Sequence, residues 1–148
     1  KTEMDKKTER IFLNVTKEGQ CLYALDWQHS GFLYDPRSSD AYKSAWVEDA
    51  RFPQGGYMAF FPPFYPNGDY YFFIDENLQF GYLSHPWREE VWVFGENLIK
   101  ELQIELKMAE FNYKLSNANV LMLKDITQRN LSLFEDMMKI VNTSNTHA

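Results

Sequence analysis

Residues 67–83, NGDYYFFIDENLQFGYL, contain the aromatic run on which the fold prediction depends. Every position from Tyr70 to Ile74 is apolar, which indicates a strand that is covered on both faces. Residues 75–77, Asp-Glu-Asn, provide turn chemistry before the next apolar run. We therefore predict a central strand at Tyr70–Ile74 that forms an antiparallel hairpin with a strand at Phe80–Leu83.

Glycine and proline divide the rest of the chain into two parts. All seven glycines lie between Gly19 and Gly95, all six prolines lie within that stretch, and the last 53 residues contain neither. Because these residues interrupt regular structure, the first part is expected to consist of strands and turns and the last part of helices. The apolar runs predict further strands at Ile11–Thr16, Leu22–Trp27, Tyr57–Phe61 and Val91–Phe94. The polar segment 34–56 is expected to be an irregular loop.

Helical spacing begins after Gly95. One apolar stripe is formed by Leu98, Ile99, Leu102, Leu106 and Ala109. Asp125 and Gln128 have the spacing of a capping box, and apolar residues continue at helical spacing as far as Val141. The predicted fold class is α+β, a twisted and mainly antiparallel sheet with helices on one face and a C-terminal helical extension. We place the α+β domain at 1–106 and the extension at 107–148, packed on the same domain or on a partner.

Length and charge exclude several classes of protein. The 148 residues suffice for one domain, and no apolar run reaches the roughly 18 residues that a membrane span requires. The segment from Glu18 to Glu90 carries four basic and eleven acidic residues, which argues against nucleic acid. The acidity either serves solubility or attracts a basic protein partner or a positively charged small molecule. Cys21 is the single cysteine, so an internal disulfide is impossible. These features predict a cytoplasmic protein.

Three polar and aromatic segments at predicted strand ends form the candidate site: Asp26–His29, Asn67–Tyr70 and Ser84–Trp87. Such mixtures of side chains line ligand pockets. The candidate ligand-binding residues are Trp27, His29, Asp69, Tyr70, His85 and Trp87. No zinc spacing, glycine-framed nucleophile or phosphate cradle accompanies them, so the sequence predicts no catalytic residue, metal ligand or cofactor. The competing interpretation places the tryptophans in the core and His85 in a rigid turn.

Three stretches of sequence carry a family resemblance: LYALDWQHSGFLYDP (22–36), FYPNGDYYFFIDENLQFGYLSHPW (64–87) and VWVFGENLIKEL (91–102). In order and spacing they resemble the bacterial family called domain of unknown function 2716, over roughly residues 10–105. The resemblance implies a small bacterial intracellular α+β protein and supplies no activity. It also implies that this chain is shortened at its amino end. Members of that family tend to have an acidic residue where this chain has Arg88.

Two functional hypotheses follow. The first is a non-enzymatic interaction protein, inhibitor-like or immunity-like, that holds another protein or a second copy of itself. It uses either the acidic aromatic surface or the C-terminal helices, which carry Met137 and Met138. The alternative is a small-ligand or metal-binding, hydrolase-like protein built around His29, Asp69 and His85.

Overall fold

The computed structural model describes residues 3–26, 30–38, 44–64, 70–85, 90–110, 114–117, 128–129 and 140–142. Its two long helices are α1 (Glu3–Val15) and α2 (Glu96–Glu110). The strands are β1 (Leu22–Asp26), β2 (Ser30–Tyr34), β3 (Ala45–Glu48), β4 (Gly56–Ala59), β5 (Tyr71–Asp75), β6 (Gly81–His85), β7 (Glu90–Phe94), β8 (Lys114–Asn117) and β9 (Ile140–Asn142).

Seven of the strands form one sheet in the order β8-β7-β6-β5-β1-β2-β9. The inner pairs are antiparallel, and the two edge strands β8 and β9 pair in parallel with β7 and β2. The predicted α+β class with a mainly antiparallel sheet is confirmed. The predicted central strand is β5, in which every residue is buried, and it forms the predicted hairpin with β6.

The strands alternate between the two faces of the sheet. Ala24, Phe73 and Tyr82 lie on one face, in the same core cluster as apolar residues of α1 and α2. Leu25, Phe72 and Leu83 belong to a second cluster on the opposite face. Because a strand with one exposed face cannot bury successive residues, this double burial accounts for the unbroken apolar run in β5.

The prediction of a strand at Ile11–Thr16 is wrong, since most of this segment belongs to α1. Thr8, Ile11 and Phe12 are fully buried, whereas Leu13 and Asn14 are exposed. Burial at spacings of three and four residues is helical, and a strand would have buried alternate residues. The short run of apolar residues suggested a strand because the helical spacing becomes visible only when Thr8 is counted as buried.

The C-terminal extension also differs from its prediction. Ile140 and Val141 were assigned to a second amphipathic helix, but they lie in β9. Gln128 and Arg129 are helical, and the remaining residues of the predicted helix lie outside the described residues.

The helical stripe that was predicted after Gly95 is confirmed as α2. The predicted loop 34–56 contains β3, which pairs with β4 in a separate two-stranded sheet.

Arg37 closes the C-terminal end of α1. Its guanidinium donates to the carbonyl oxygen of Thr16 at 2.8 Å, to the carbonyl oxygen of Lys17 at 3.2 Å and to Thr16 Oγ1 at 3.0 Å. The last carbonyl groups of a helix have no partner within the helix, and they carry its negative end charge. The cation of Arg37 therefore satisfies both the hydrogen bonding and the charge at this end.

Replacing Arg37 with alanine is expected to lower the free energy of unfolding by about 1–2 kcal/mol, because charged hydrogen bonds to the helix end are lost. Urea unfolding followed by circular dichroism measures this change. Arg51→Ala is the matched control, because the Arg51 guanidinium pairs with the neighbouring Asp49 on an exposed loop, and such surface pairs contribute little to stability. Equal losses in the two variants would contradict the capping role.

Candidate functional site

The three segments that sequence analysis singled out leave the sheet at the same end. Asp26 at the end of β1 pairs with Tyr71 at the start of β5, and Tyr71 pairs with Ser84 near the end of β6. The three candidate segments therefore adjoin strand ends that are neighbours in the sheet. Of the six candidate residues, Trp27, His29, Asp69 and Trp87 lie outside the described residues.

Tyr70 and His85 are the two candidates that the structure describes. Tyr70 is half-buried and packs beside the second core cluster, and His85 is the last residue of β6, in register with Glu90 of β7. The structure thus brings the strand ends together, and the ligand site itself stays a prediction.

Ser84, the first residue of the third candidate segment, is fully buried. Its Oγ donates a hydrogen bond to the carbonyl oxygen of Phe64 at 3.2 Å, and Tyr82 donates to the same oxygen at 2.7 Å. A hydroxyl that is buried and bonded to a carbonyl is not accessible to a substrate. The role of Ser84 is to hold residue 64 against the sheet.

Polar residues at the other end of the sheet order a turn. Asp75 is fully buried, and its carboxylate accepts from Gln20 Nε2 at 2.9 Å and from the backbone N–H of Gln79 at 3.1 Å. This confirms the turn that was predicted from residues 75–77.

Cys21 lies next to this turn, and burial raises the pKa of its thiol, as do the carboxylates of Asp35 and Glu76. Cys21 is therefore a poor nucleophile at neutral pH.

The hairpin of β3 and β4 has one face in the core and one face in solvent. Val47 and Ala59 belong to the main core cluster, and Tyr57 packs against it. Trp46 pairs with Met58 across the two strands, and both point to the opposite side. The register therefore separates an inner, buried face from an outer, exposed face.

The outer face carries two large apolar side chains, Trp46 and Met58, and Phe60 is exposed directly after the end of β4; we call these three residues the hairpin patch. Their exposed fractions are 51%, 45% and 66%. Gly56 makes room for the backbone of β3 and for the indole of Trp46, because a Cβ at this position would overlap the carbonyl oxygen of Val47 and lie 3.0 Å from two indole ring atoms. Large apolar side chains grouped on one surface typically mark a contact site for another protein.

The loop that joins β3 to β4 is held by several hydrogen bonds. The N–H of Asp49 donates to the carbonyl of Gly55 at 2.9 Å, and the N–H of Gly55 donates to the carbonyl of Phe52 at 2.9 Å. The Asp49 carboxylate accepts from the N–H of Arg51 at 3.0 Å and from its guanidinium. The loop thus holds the strands in one register, so the hairpin patch is presented on an ordered support.

One acidic side chain lies on the outer face of the hairpin. Glu48 is exposed there, two residue pairs along from Trp46 and Met58. The described part of segment 18–90 contains two basic residues, and both contact their own chain, Arg37 at the end of α1 and Arg51 at Asp49.

Sequence analysis predicted an acidic aromatic surface but did not locate it. It assigned Trp46 to an irregular loop and predicted the strand that contains Met58 and Phe60 without its partner. The available signal for β3 was the aromatic and β-branched pair Trp46 and Val47, residue types that favour strands. Which side of that strand is exposed depends on the packing of Val47 in the core, which no local pattern encodes.

The chain belongs to the family described as Protein of unknown function (DUF2716), whose model matches residues 2–63 and 61–99. It is 30% identical over 101 residues to Uncharacterized protein YxiI of Bacillus subtilis (strain 168). The match covers 68% of this chain and 55% of that protein, so the chain spans about half the length of this relative. No solved structure matches this chain.

The described residues contain no group of three or more His, Cys, Asp and Glu side chains placed to hold a metal ion. None of the helices in the same part of the chain is long and apolar enough to span a membrane.

Proposed function

We propose that this protein is a non-enzymatic interaction module, inhibitor-like or immunity-like, that binds a basic protein through the hairpin patch. The observation that carries the proposal is the exposure of Trp46 and Met58, which pair on the outer face of the hairpin, and of Phe60 directly after β4. Tryptophan and methionine are enriched at protein interfaces, the first as a rigid anchor and the second as an adaptable one.

The acidic charge of segment 18–90 indicates which kind of protein would bind the hairpin patch. An acidic surface attracts a positively charged protein and accelerates its association. Glu48 lies on the patch, and the surrounding segment is strongly acidic. A second copy of the chain would bring the same acidic surface and a formal charge of -6, so its approach is opposed by repulsion. The proposed partner is therefore basic and carries an apolar side chain that packs beside Trp46.

The test compares the tagged chain with its Trp46→Ser/Met58→Ser/Phe60→Ser variant in quantitative affinity purification from its own cells. We expect a basic protein that the unaltered chain captures and the variant loses by at least tenfold, because buried interface anchors contribute about 2 kcal/mol or more each. The thermal melting curve of the variant should stay cooperative, since the three side chains are exposed.

Leu13→Ser/Ile104→Ser is the matched control, because it removes two exposed apolar side chains, 38% and 57% exposed, from α1 and α2. It should capture the same protein as the unaltered chain. Equal capture by all three proteins would contradict the proposal. A captured second copy of the chain, or an acidic protein, would contradict the predicted partner chemistry.

A further inference from the structure

The indole of Trp46 lies over Gly56 on the outer face of the hairpin. Gly56 is buried although this face meets solvent, and a Cβ placed on it would lie 3.0 Å from the indole atoms Cε2 and Cζ2. Across the strands Trp46 pairs with Met58, so Gly56 is its diagonal neighbour. The ring is therefore turned along the hairpin toward the pair that residue 56 forms, and the side chain stays half exposed.

Glu48 occupies the strand position directly opposite Gly56. It is exposed and lies on the same face as Trp46, because side chains two residues apart on a strand point to one side. Directly opposed positions on paired strands lie about 5 Å apart, so an indole that lies over Gly56 adjoins the side chain of Glu48. The outer face thus places an aromatic ring beside a carboxylate.

An aromatic ring beside a carboxylate suits one class of group, a planar cation. An indole attracts a cation that lies over its face within about 6 Å of the ring centroid, and a carboxylate pairs with the same cation by charge and hydrogen bonding. A guanidinium makes both contacts at once, because it is flat enough to stack on a ring and presents parallel N–H groups to a carboxylate. The ammonium group of lysine is a point charge without a stacking surface. The pair of Trp46 and Glu48 therefore fits arginine better than lysine.

The described arginines of segment 18–90 are held by their own chain. Arg51 donates to the Asp49 carboxylate through Nε at 2.9 Å and through Nη2 at 2.6 Å. Arg37 donates to the carbonyl oxygen of Thr16 at the end of α1. The segment as a whole carries eleven acidic residues against four basic ones, and such a charge attracts a basic protein. The fit is therefore to an arginine that another protein brings.

We infer that Trp46 and Glu48 form a subsite for an arginine side chain of the basic partner, with the guanidinium stacked on the exposed indole and paired with the carboxylate. The inference rests on the proposed function, since it names the group of the partner that the hairpin patch recognises. Met58 and Phe60 then contact the apolar residues beside that arginine.

The probe is Nα-acetyl-arginine amide, titrated into the full, isotope-labelled chain and followed by NMR at the backbone amide of Gly56. The citrulline analogue has the same shape without the charge, and the lysine analogue has the charge without the plane. We expect a saturable shift with the arginine probe and binding about two- to fivefold tighter than that of the lysine probe. The citrulline probe should give no saturable shift.

Two variants test the two halves of the subsite. Glu48→Gln and Trp46→Leu should each weaken binding of the arginine probe about two- to fivefold, because one removes an exposed ion pair and the other a cation–π contact. Glu18→Gln is the matched control. Glu18 is exposed in the turn between α1 and β1, so this variant loses the same charge outside the hairpin. It should bind the arginine probe as the unaltered chain does.

Equal shifts with the arginine and citrulline probes, or no saturable shift with either, would overturn the inference. Equal binding of the arginine and lysine probes would overturn the assignment to a guanidinium. A shift of the Gly56 amide when the chain alone is concentrated would identify a second copy as the occupant and overturn the assignment to another protein.

The subsite and the proposed function can fail separately. Capture of a basic protein through the hairpin patch, together with no binding of the arginine probe, would refute the arginine subsite alone. Binding of the arginine probe at Trp46 and Glu48, together with no captured protein, would refute the proposed function and leave the subsite standing.

Discussion

Phe12→Ala is expected to lower the free energy of unfolding by about 3–5 kcal/mol, the usual cost of removing a fully buried phenylalanine. The ring of Phe12 is fully buried and lies 5.6 Å from that of Phe73 and 5.9 Å from that of Tyr82, measured between ring centroids. It contacts the rings of Tyr34 and Phe64 as well. The side chain thus anchors α1 on the sheet, and its loss leaves a cavity between them.

Leu13→Ala is the control for this prediction, because Leu13 is the next residue of α1 and is 38% exposed. Its expected cost is below about 1 kcal/mol, since little apolar area is returned to water. Urea unfolding of both variants measures the difference. Similar losses for the two neighbours would mean that α1 does not bury the face that the structure gives it.

Gly95→Ala is expected to lower the free energy of unfolding by about 2–5 kcal/mol. Gly95 has a φ of 96°, where an L side chain is strained by about 1–2 kcal/mol. A Cβ there would overlap the Cβ of Phe80 and lie 2.9 Å from its Cα, and such overpacking typically costs about 1–3 kcal/mol more. The carbonyl of Gly95 also accepts from the N–H of Ile99 at 3.0 Å, so a shift here disturbs the first turn of α2.

Gly19→Ala isolates the strain from the steric overlap. Gly19 has a φ of 83°, but a Cβ at this position meets nothing within 4 Å. Its expected cost is about 1–2 kcal/mol, from the backbone conformation alone. Thermal and urea unfolding of the two variants give the comparison. If Gly19→Ala were as destabilising as Gly95→Ala, the close packing of Phe80 against Gly95 would be refuted.

Four of the five inner strands, β1, β5, β6 and β7, could be predicted because their local sequence carries the information, whereas β2 was not predicted. The apolar run of β5, the turn residues after it and the aromatic stretch of β7 each mark a strand without reference to the rest of the molecule. The same is true of α2, whose apolar residues recur at helical spacing over four turns. In these elements local propensity and tertiary packing agree.

The segments that were mispredicted depend on tertiary contacts. Ile11, Phe12 and Leu13 form an apolar run that suits either a strand or a helix, and packing of Phe12 against the sheet decides in favour of the helix. Ile140 and Val141 continue a helical pattern, but pairing with residues 31 and 32 makes them a strand. Such non-local pairing overrides the preference of a short segment.

The candidate surface, too, could be predicted only in part, because its exposure depends on tertiary packing. Sequence analysis recognised that the segment 18–90 is acidic and aromatic, and two of its aromatic residues, Trp46 and Phe60, belong to the hairpin patch. It could not separate Trp46, which is half exposed, from the neighbouring Val47, which is 5% exposed, because that difference arises when the hairpin packs on the core. The predicted segments at the other end of the sheet do share one end, since the register of β1, β5 and β6 aligns them.

The most direct test of the interaction role is photo-crosslinking in the cells from which the chain comes. A photoreactive phenylalanine analogue is placed at Phe60, which is 66% exposed in the hairpin patch, or at Ile104, which is 57% exposed on α2. We predict a discrete crosslink to a basic protein from position 60 that is absent from position 104 and is lost when Trp46 is also changed to serine. Identical products from both positions, or no crosslink from position 60, would contradict the role assigned to the hairpin patch.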